Sequence, residues 1–101
     1  MGITLRGIIY PEDGMWLAHC LEMDIVAEGK TPRQALEDVV DLCNLQFQVA
    51  LEEGDIASAF RPAPPEYWKL FFVARKKLSI RKSIKTTKPI EGFEARELTF
   101  A

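Results

Sequence analysis

The hydrophobic period of this chain changes halfway through one short stretch, GMWLAHCLEMDIVAEGKTPRQALEDVV, residues 14–40. Before the change the pattern alternates: Met15, Leu17 and His19 fall on one face, and Trp16 and Ala18 on the other, as in a strand. After Thr31-Pro32-Arg33-Gln34 the apolar residues recur at helical spacing. A chain patterned this way must build a short sheet that feeds one long helix, which places it in the α+β class.

The strands are legible on both sides of a turn. Residues 3–10 are rich in β-branched and aromatic side chains and read as a strand. Pro11-Glu12-Asp13-Gly14 reads as a turn, because proline fixes φ and glycine accepts positive φ. Residues 15–20 then form a second strand and Asp24 to Glu28 a third, ending at Gly29. Three sequential strands at this spacing predict an antiparallel meander.

Thr31 is placed to cap the helix, with Gln34 reaching back to the Thr31 N–H and Pro32 at the first helical position. One apolar stripe runs through Leu36, Val39, Val40, Cys43, Phe47, Ala50 and Leu51, and Gly54 is suited to end the helix in a left-handed conformation. A second row, Leu42, Leu45 and Val49, lies nearly opposite the first. Between them Glu37, Asp41, Asn44, Gln48 and Glu52 form a narrow polar wedge. One row packs on the sheet; the other requires the C-terminal half or a second chain as its cover.

Residues 55–65 form a proline-stiffened connection. Pro65 opens a short amphipathic helix to about Arg75; Leu78, Ile80 and Ile84 then hint at a strand, and Phe93 to Phe100 read as another. With 101 residues one domain is expected: a βββα core over 1–54, and a 55–101 extension (linker, short helix, basic strand region) packed with it. No apolar run approaches a membrane span, and the N-terminus lacks a signal-peptide layout, so a cytoplasmic location is expected. A homodimer is the default, since two-fold symmetry is the commonest and the long helix has apolar surface to spare.

The net charge of −2 hides a division. Residues 1–60 carry 11 acids and 3 bases, a net of −8, whereas residues 61–101 carry 10 bases and 4 acids, a net of +6. Arg75, Lys76, Lys77, Arg81, Lys82, Lys85 and Lys88 form a run with no acid among residues 67–90. Such a run can neutralise phosphates of a nucleic acid, or serve as a solvated strand pair or a surface docking on the acidic half of another protomer.

Few residues suggest catalysis. His19 is the sole histidine, and its neighbour Cys20 points to the opposite face of the strand, so the two do not form a nucleophile–base pair. The plainer reading of His19 is a strand histidine at a sheet edge or an interface. Cys20 and Cys43 read as two buried thiols of a reduced compartment, and their spacing suggests no zinc site. Glu22, Asp24 and Glu28 crowd the second and third strands and Glu37, Asp38 and Asp41 the helix; Glu22, Asp24 and Asp41 offer carboxylates for a divalent cation in a nuclease, but a solvated acidic face or a surface for a basic partner needs no special geometry. Phosphate loops and serine- or zinc-hydrolase motifs do not occur, and neither a cofactor nor a metal is expected.

Taken in order, Tyr10-Pro-Glu-Asp-Gly14, Trp16-Leu-Ala-His-Cys20, Glu28-Gly-Lys-Thr31 and Gln34-Ala-Leu-Glu-Asp38 resemble the HicB-like antitoxin family over residues 3–54. The resemblance implies a truncated ribonuclease H-like fold, a three- or four-stranded, mainly antiparallel sheet with the long helix packed on it, here followed by a short helix and a strand hairpin. It implies no nuclease activity. It implies a non-enzymatic antitoxin of a type II toxin–antitoxin system, which binds a small basic, mRNA-cleaving toxin of the HicA type and covers its active site. On that reading Trp16, His19, Glu22, Asp24 and Glu28 lie near the toxin-facing surface, with Glu37 and Asp41 as rim charges. Two features depart from the family pattern. Cys20-Leu-Glu-Met-Asp24 lacks the prolines usual after that cysteine, and the C-terminal half reads as neither a helix-turn-helix nor a ribbon-helix-helix DNA-binding domain. An orphan member without a toxin, or a nucleic-acid-binding module using the 75–88 run, is the alternative.

Overall fold

The computed structural model describes residues 3–74, 76–80 and 90–98. Five strands, β1 (Ile3–Glu12), β2 (Met15–Cys20), β3 (Ile25–Gly29), β4 (Lys76–Ile80) and β5 (Ile90–Glu97), make one sheet in the order β3-β2-β1-β5-β4. Every neighbouring pair is antiparallel except β1 with β5, which is parallel. The expected meander is therefore present, and the expected C-terminal strand pair extends the same sheet on the far side of β1. Ile84 and Phe100, counted among the strand signals, lie outside the described residues.

The first hairpin is tighter than expected. Pro11 and Glu12 belong to β1, opposite Trp16 and Met15, and the turn is only Asp13-Gly14, both at positive φ (52° and 78°). Two left-handed residues match the twist of paired strands, which favours an Asp-Gly turn. Pro11 is tolerated because β5 ends its pairing at Ile9, so no strand on that side asks Pro11 for an N–H.

The long helix α1 (Pro32–Glu52) starts as its sequence dictates. Thr31 Oγ1 accepts from the Gln34 N–H at 3.1 Å. The Gln34 side chain accepts from the Lys30 N–H at 3.2 Å, one residue earlier than expected. At the other end Gly54 (φ 71°) donates to the Leu51 carbonyl, and Asp55 to that of Ala50, the two bonds of a Schellman motif. Leu36, Val39, Val40, Cys43, Phe47 and Ala50 are buried against Leu5, Ile9, Ala18, Cys20 and Phe93, whereas Leu51 turns outward. Gly29 permits the close seating of β3 on α1: a Cβ there would lie 2.5 Å from the Ala35 backbone nitrogen.

The connection after α1, with a 3₁₀ turn at Ile56–Ala59, carries the chain to the other face of the sheet. Phe60 meets Phe47 edge to face at 5.3 Å, and Ala63 donates to the Leu21 carbonyl at 2.7 Å. A second helix, α2 (Pro65–Val73), covers that other face, with Phe71 packed among Ile8, Leu21, Ala63 and Leu98. Arg96 of β5 fastens α2: its guanidinium lies 4.1 Å over the Phe71 ring, and Nη1 donates to the Phe71 carbonyl at 2.9 Å. The result is three layers, α1, sheet and α2. The C-terminal half covers the second face of the sheet, and the second apolar row of α1 stays open: Leu42, Leu45 and Val49 are 42%, 57% and 43% exposed. Among the described residues no helix is long and apolar enough to cross a membrane.

Candidate functional site

The open row of α1 forms one wall of a groove whose other wall is the free edge of the sheet. β3 is the terminal strand, bonded to β2 on one side only. Between it and α1 lies an open groove of about 450 Å³, lined by Ala27 and Glu28 of β3 and by Asp38, Asp41, Leu42 and Leu45 of α1. The four helical residues follow i, i+3, i+4, i+7 spacing, so they form one stripe. The groove thus combines an apolar floor, three carboxylate residues and a strand edge, and its lining contains no base. It offers a surface for binding in which carboxylate and apolar side chains lie side by side.

The seven residues expected at a partner surface fall in four places. Glu28 and Asp41 both line the groove, one from the strand edge and one from the helix. Glu37 is an exposed neighbour on the helix, 3.9 Å from Arg33 one turn earlier. Trp16 packs partly buried against the core beneath α1. His19, Asp24 and Glu22 lie at the end of β2 and in the turn that follows it.

His19 is buried (4% exposed) on an inner strand, at the interface between the sheet and α2. Its Nε2 donates to Asp24 Oδ1 at 2.6 Å, and its ring meets Tyr67 of α2 edge-on at 4.7 Å. Nδ1 is buried and makes no hydrogen bond. Asp24 sits at φ 53°, a conformation that aspartate tolerates better than most residues. The pair ties the β2–β3 turn to the strand it leaves. Glu22 is half-buried and accepts from the Arg6 backbone N–H at 2.7 Å, while the Arg6 guanidinium stands 3.8 Å away. Burial raises the Glu22 carboxyl, against the lowering by the backbone N–H groups of Arg6 and of Glu22 itself and by the Arg6 charge.

Glu22 and Asp24 are thus engaged separately, and Asp41 lies in the groove. Among the described residues no three His, Cys, Asp or Glu side chains converge to hold a metal ion. Cys20 and Cys43 are free, buried thiols facing each other under α1. Their mutual hydrogen bond and their burial push the Cys43 thiol well up, so it stays protonated.

Of the basic run, Lys76 and Lys77 open β4, the other edge of the sheet. Arg75, Arg81, Lys82, Lys85 and Lys88 lie outside the described residues. Asp38, one of the helical acids that read as a solvated face or a surface for a basic partner, also lines the groove, as do Ala27, Leu42 and Leu45. The sequence signal for the groove is the i, i+3, i+4, i+7 spacing of Asp38, Asp41, Leu42 and Leu45, which mixes acids and apolar residues on one stripe; that β3 runs beside this stripe is not legible locally. Compared with protein-family models, curated proteins and solved structures, the chain matches none.

Proposed function

We propose that this chain is a non-enzymatic binding protein, an antitoxin-like module that neutralises a small basic, mRNA-cleaving toxin of the HicA type by covering its active site. The observation that carries the reading is the groove between β3 and α1. It joins Glu28, Asp38 and Asp41 to the exposed Leu42 and Leu45 on an acidic half-chain. Acidic side chains around an apolar patch suit a basic partner: the charges speed encounter and set orientation, and the apolar contacts hold the complex. A surface of this kind works by occlusion and needs no catalytic group of its own.

The test is to identify the gene adjacent to this one and, where it encodes a short basic protein, to co-express the two products and run them on size-exclusion chromatography. A stoichiometric complex that resists moderate salt is the expected outcome. Separate elution of the two proteins contradicts the proposal.

A further inference from the structure

Three features coincide at the groove. β3 is a five-residue edge strand, and among the described residues no backbone hydrogen bond from outside the sheet reaches residues 25–29. An edge strand presents a row of unpaired N–H and C=O groups, which is a template for one more strand. Ile25 and Ala27 point into the core beneath α1, so Val26 and Glu28 point to the other face of the sheet. α1 lays Asp38, Asp41, Leu42 and Leu45 alongside the groove.

We infer that the free edge of β3 and the adjoining stripe of α1 form a strand-docking site, occupied by a basic amphipathic strand of the partner protein. The inference rests on the reading of this chain as a binder of a basic partner and specifies how it binds. The added strand lies about 4.8 Å from β3, over the groove. Its side chains alternate between the two faces. Those on the α1 side are apolar and cover Leu42 and Leu45, which are otherwise in water. Those on the opposite side are basic and stand beside Glu28, while Asp38 and Asp41 attract the charged end of the strand. Main-chain hydrogen bonds supply affinity, and the two alternating sets of side chains supply selection. The charge of the lining selects this occupant: Glu28 on the strand and Asp38 and Asp41 on the helix beside it disfavour an acidic strand and favour a lysine- or arginine-bearing one.

The geometry is commensurate. Residues 38–45 extend about 10 Å along the axis of α1. Three same-face residues of a strand span about 13 Å. Two or three side chains of the docked strand therefore reach the helix stripe at once.

The test uses the full chain, isotope-labelled, titrated with a synthetic peptide of alternating lysine and valine. The expected result is amide shift changes concentrated in residues 25–29 and 38–45, with slowed hydrogen exchange along β3. Affinity falls about tenfold in Asp38→Lys and in Leu45→Lys, both at exposed positions, and falls further as salt rises. A peptide of alternating glutamate and valine does not bind. The inference is overturned by shift changes elsewhere, by equal binding of the two peptides, or by unchanged affinity in the variants. It is also overturned if residues 25–29 and 38–45 shift with protein concentration alone, which identifies a second copy as the occupant. If the peptide docks as described but the neighbouring gene product does not bind, the antitoxin reading fails and the docking site stands. If that product binds with β3 amides undisturbed, the docking site fails and the reading stands.

Discussion

His19 and Asp24 are joined across the turn that leaves β2, with Nε2 and Oδ1 2.6 Å apart, and the strand end and the turn are held in one geometry by that bond. The aspartate occupies a left-handed conformation to make it. Two separable energies follow. Asp24→Ala removes the acceptor from a buried histidine and leaves the left-handed backbone in place. A loss of about 1–3 kcal/mol is expected from the unmet hydrogen bond. Asp24→Gly loses the same bond but relieves the backbone, and is expected to be about 1 kcal/mol more stable than the alanine variant. Urea denaturation of the two variants measures the difference.

Gly29 makes a sharper prediction. The backbone of the first turn of α1 occupies the space a Cβ would need, with Ala35 N 2.5 Å and Ala35 Cα 2.9 Å from where that Cβ would sit. Backbone atoms do not yield as a flexible side chain does. Gly29→Ala is expected to destabilise the fold by about 1–3 kcal/mol, as overpacking does. Gly14→Ala meets nothing within 4 Å and suffers only from its positive φ, so thermal melting places it nearer the wild type.

The positions of these elements were legible in the sequence to different degrees. Local signals sufficed for the meander and the long helix: alternation in residues 15–20, Thr31 with Pro32 at the helix start, Gly54 at its end. Long-range relations were not legible. The parallel pairing of β1 with β5 depends on Gly7, across which Phe93 packs, and no local pattern marks that contact. Likewise the face on which α2 lands was open, and with it the cover of Leu42, Leu45 and Val49. His19 shows the same limit. Alternation set its face, but Tyr67, the residue that closes over it, is 48 positions away.

Glu22 sets a pH dependence. Burial raises its carboxyl above the ordinary glutamate value of 4.5, so the folded chain holds that proton more tightly than the unfolded chain does. The stabilising contribution is full below the unfolded value and is lost as pH rises through the raised folded one. Glu22→Gln removes the titration and keeps an oxygen that accepts from the Arg6 N–H. The wild-type denaturation midpoint is expected to fall more steeply than that of the variant as pH increases above about 4.5. Parallel profiles refute the assignment.

The two thiols should be chemically silent in the folded protein. Cys20 and Cys43 are wholly buried, and the hydrogen bond between them and the low polarity around them keep the Cys43 thiol protonated. An aromatic disulfide reagent is expected to react with neither under native conditions, and with both in denaturant. Rapid labelling of the native chain at either cysteine contradicts the packing of α1 on β2.

Titration of RNA cleavage decides whether this protein acts, as we propose, by covering a ribonuclease toxin. The product of the adjacent gene, where that gene encodes a short basic protein, is supplied with a labelled RNA, and the purified chain is added in increasing amounts. The account predicts that cleavage stops at equimolar protein. It also predicts that Leu45→Lys, which places a positive charge in the docking groove, protects only at a large excess. Cleavage that continues undiminished at saturating wild-type protein contradicts the account.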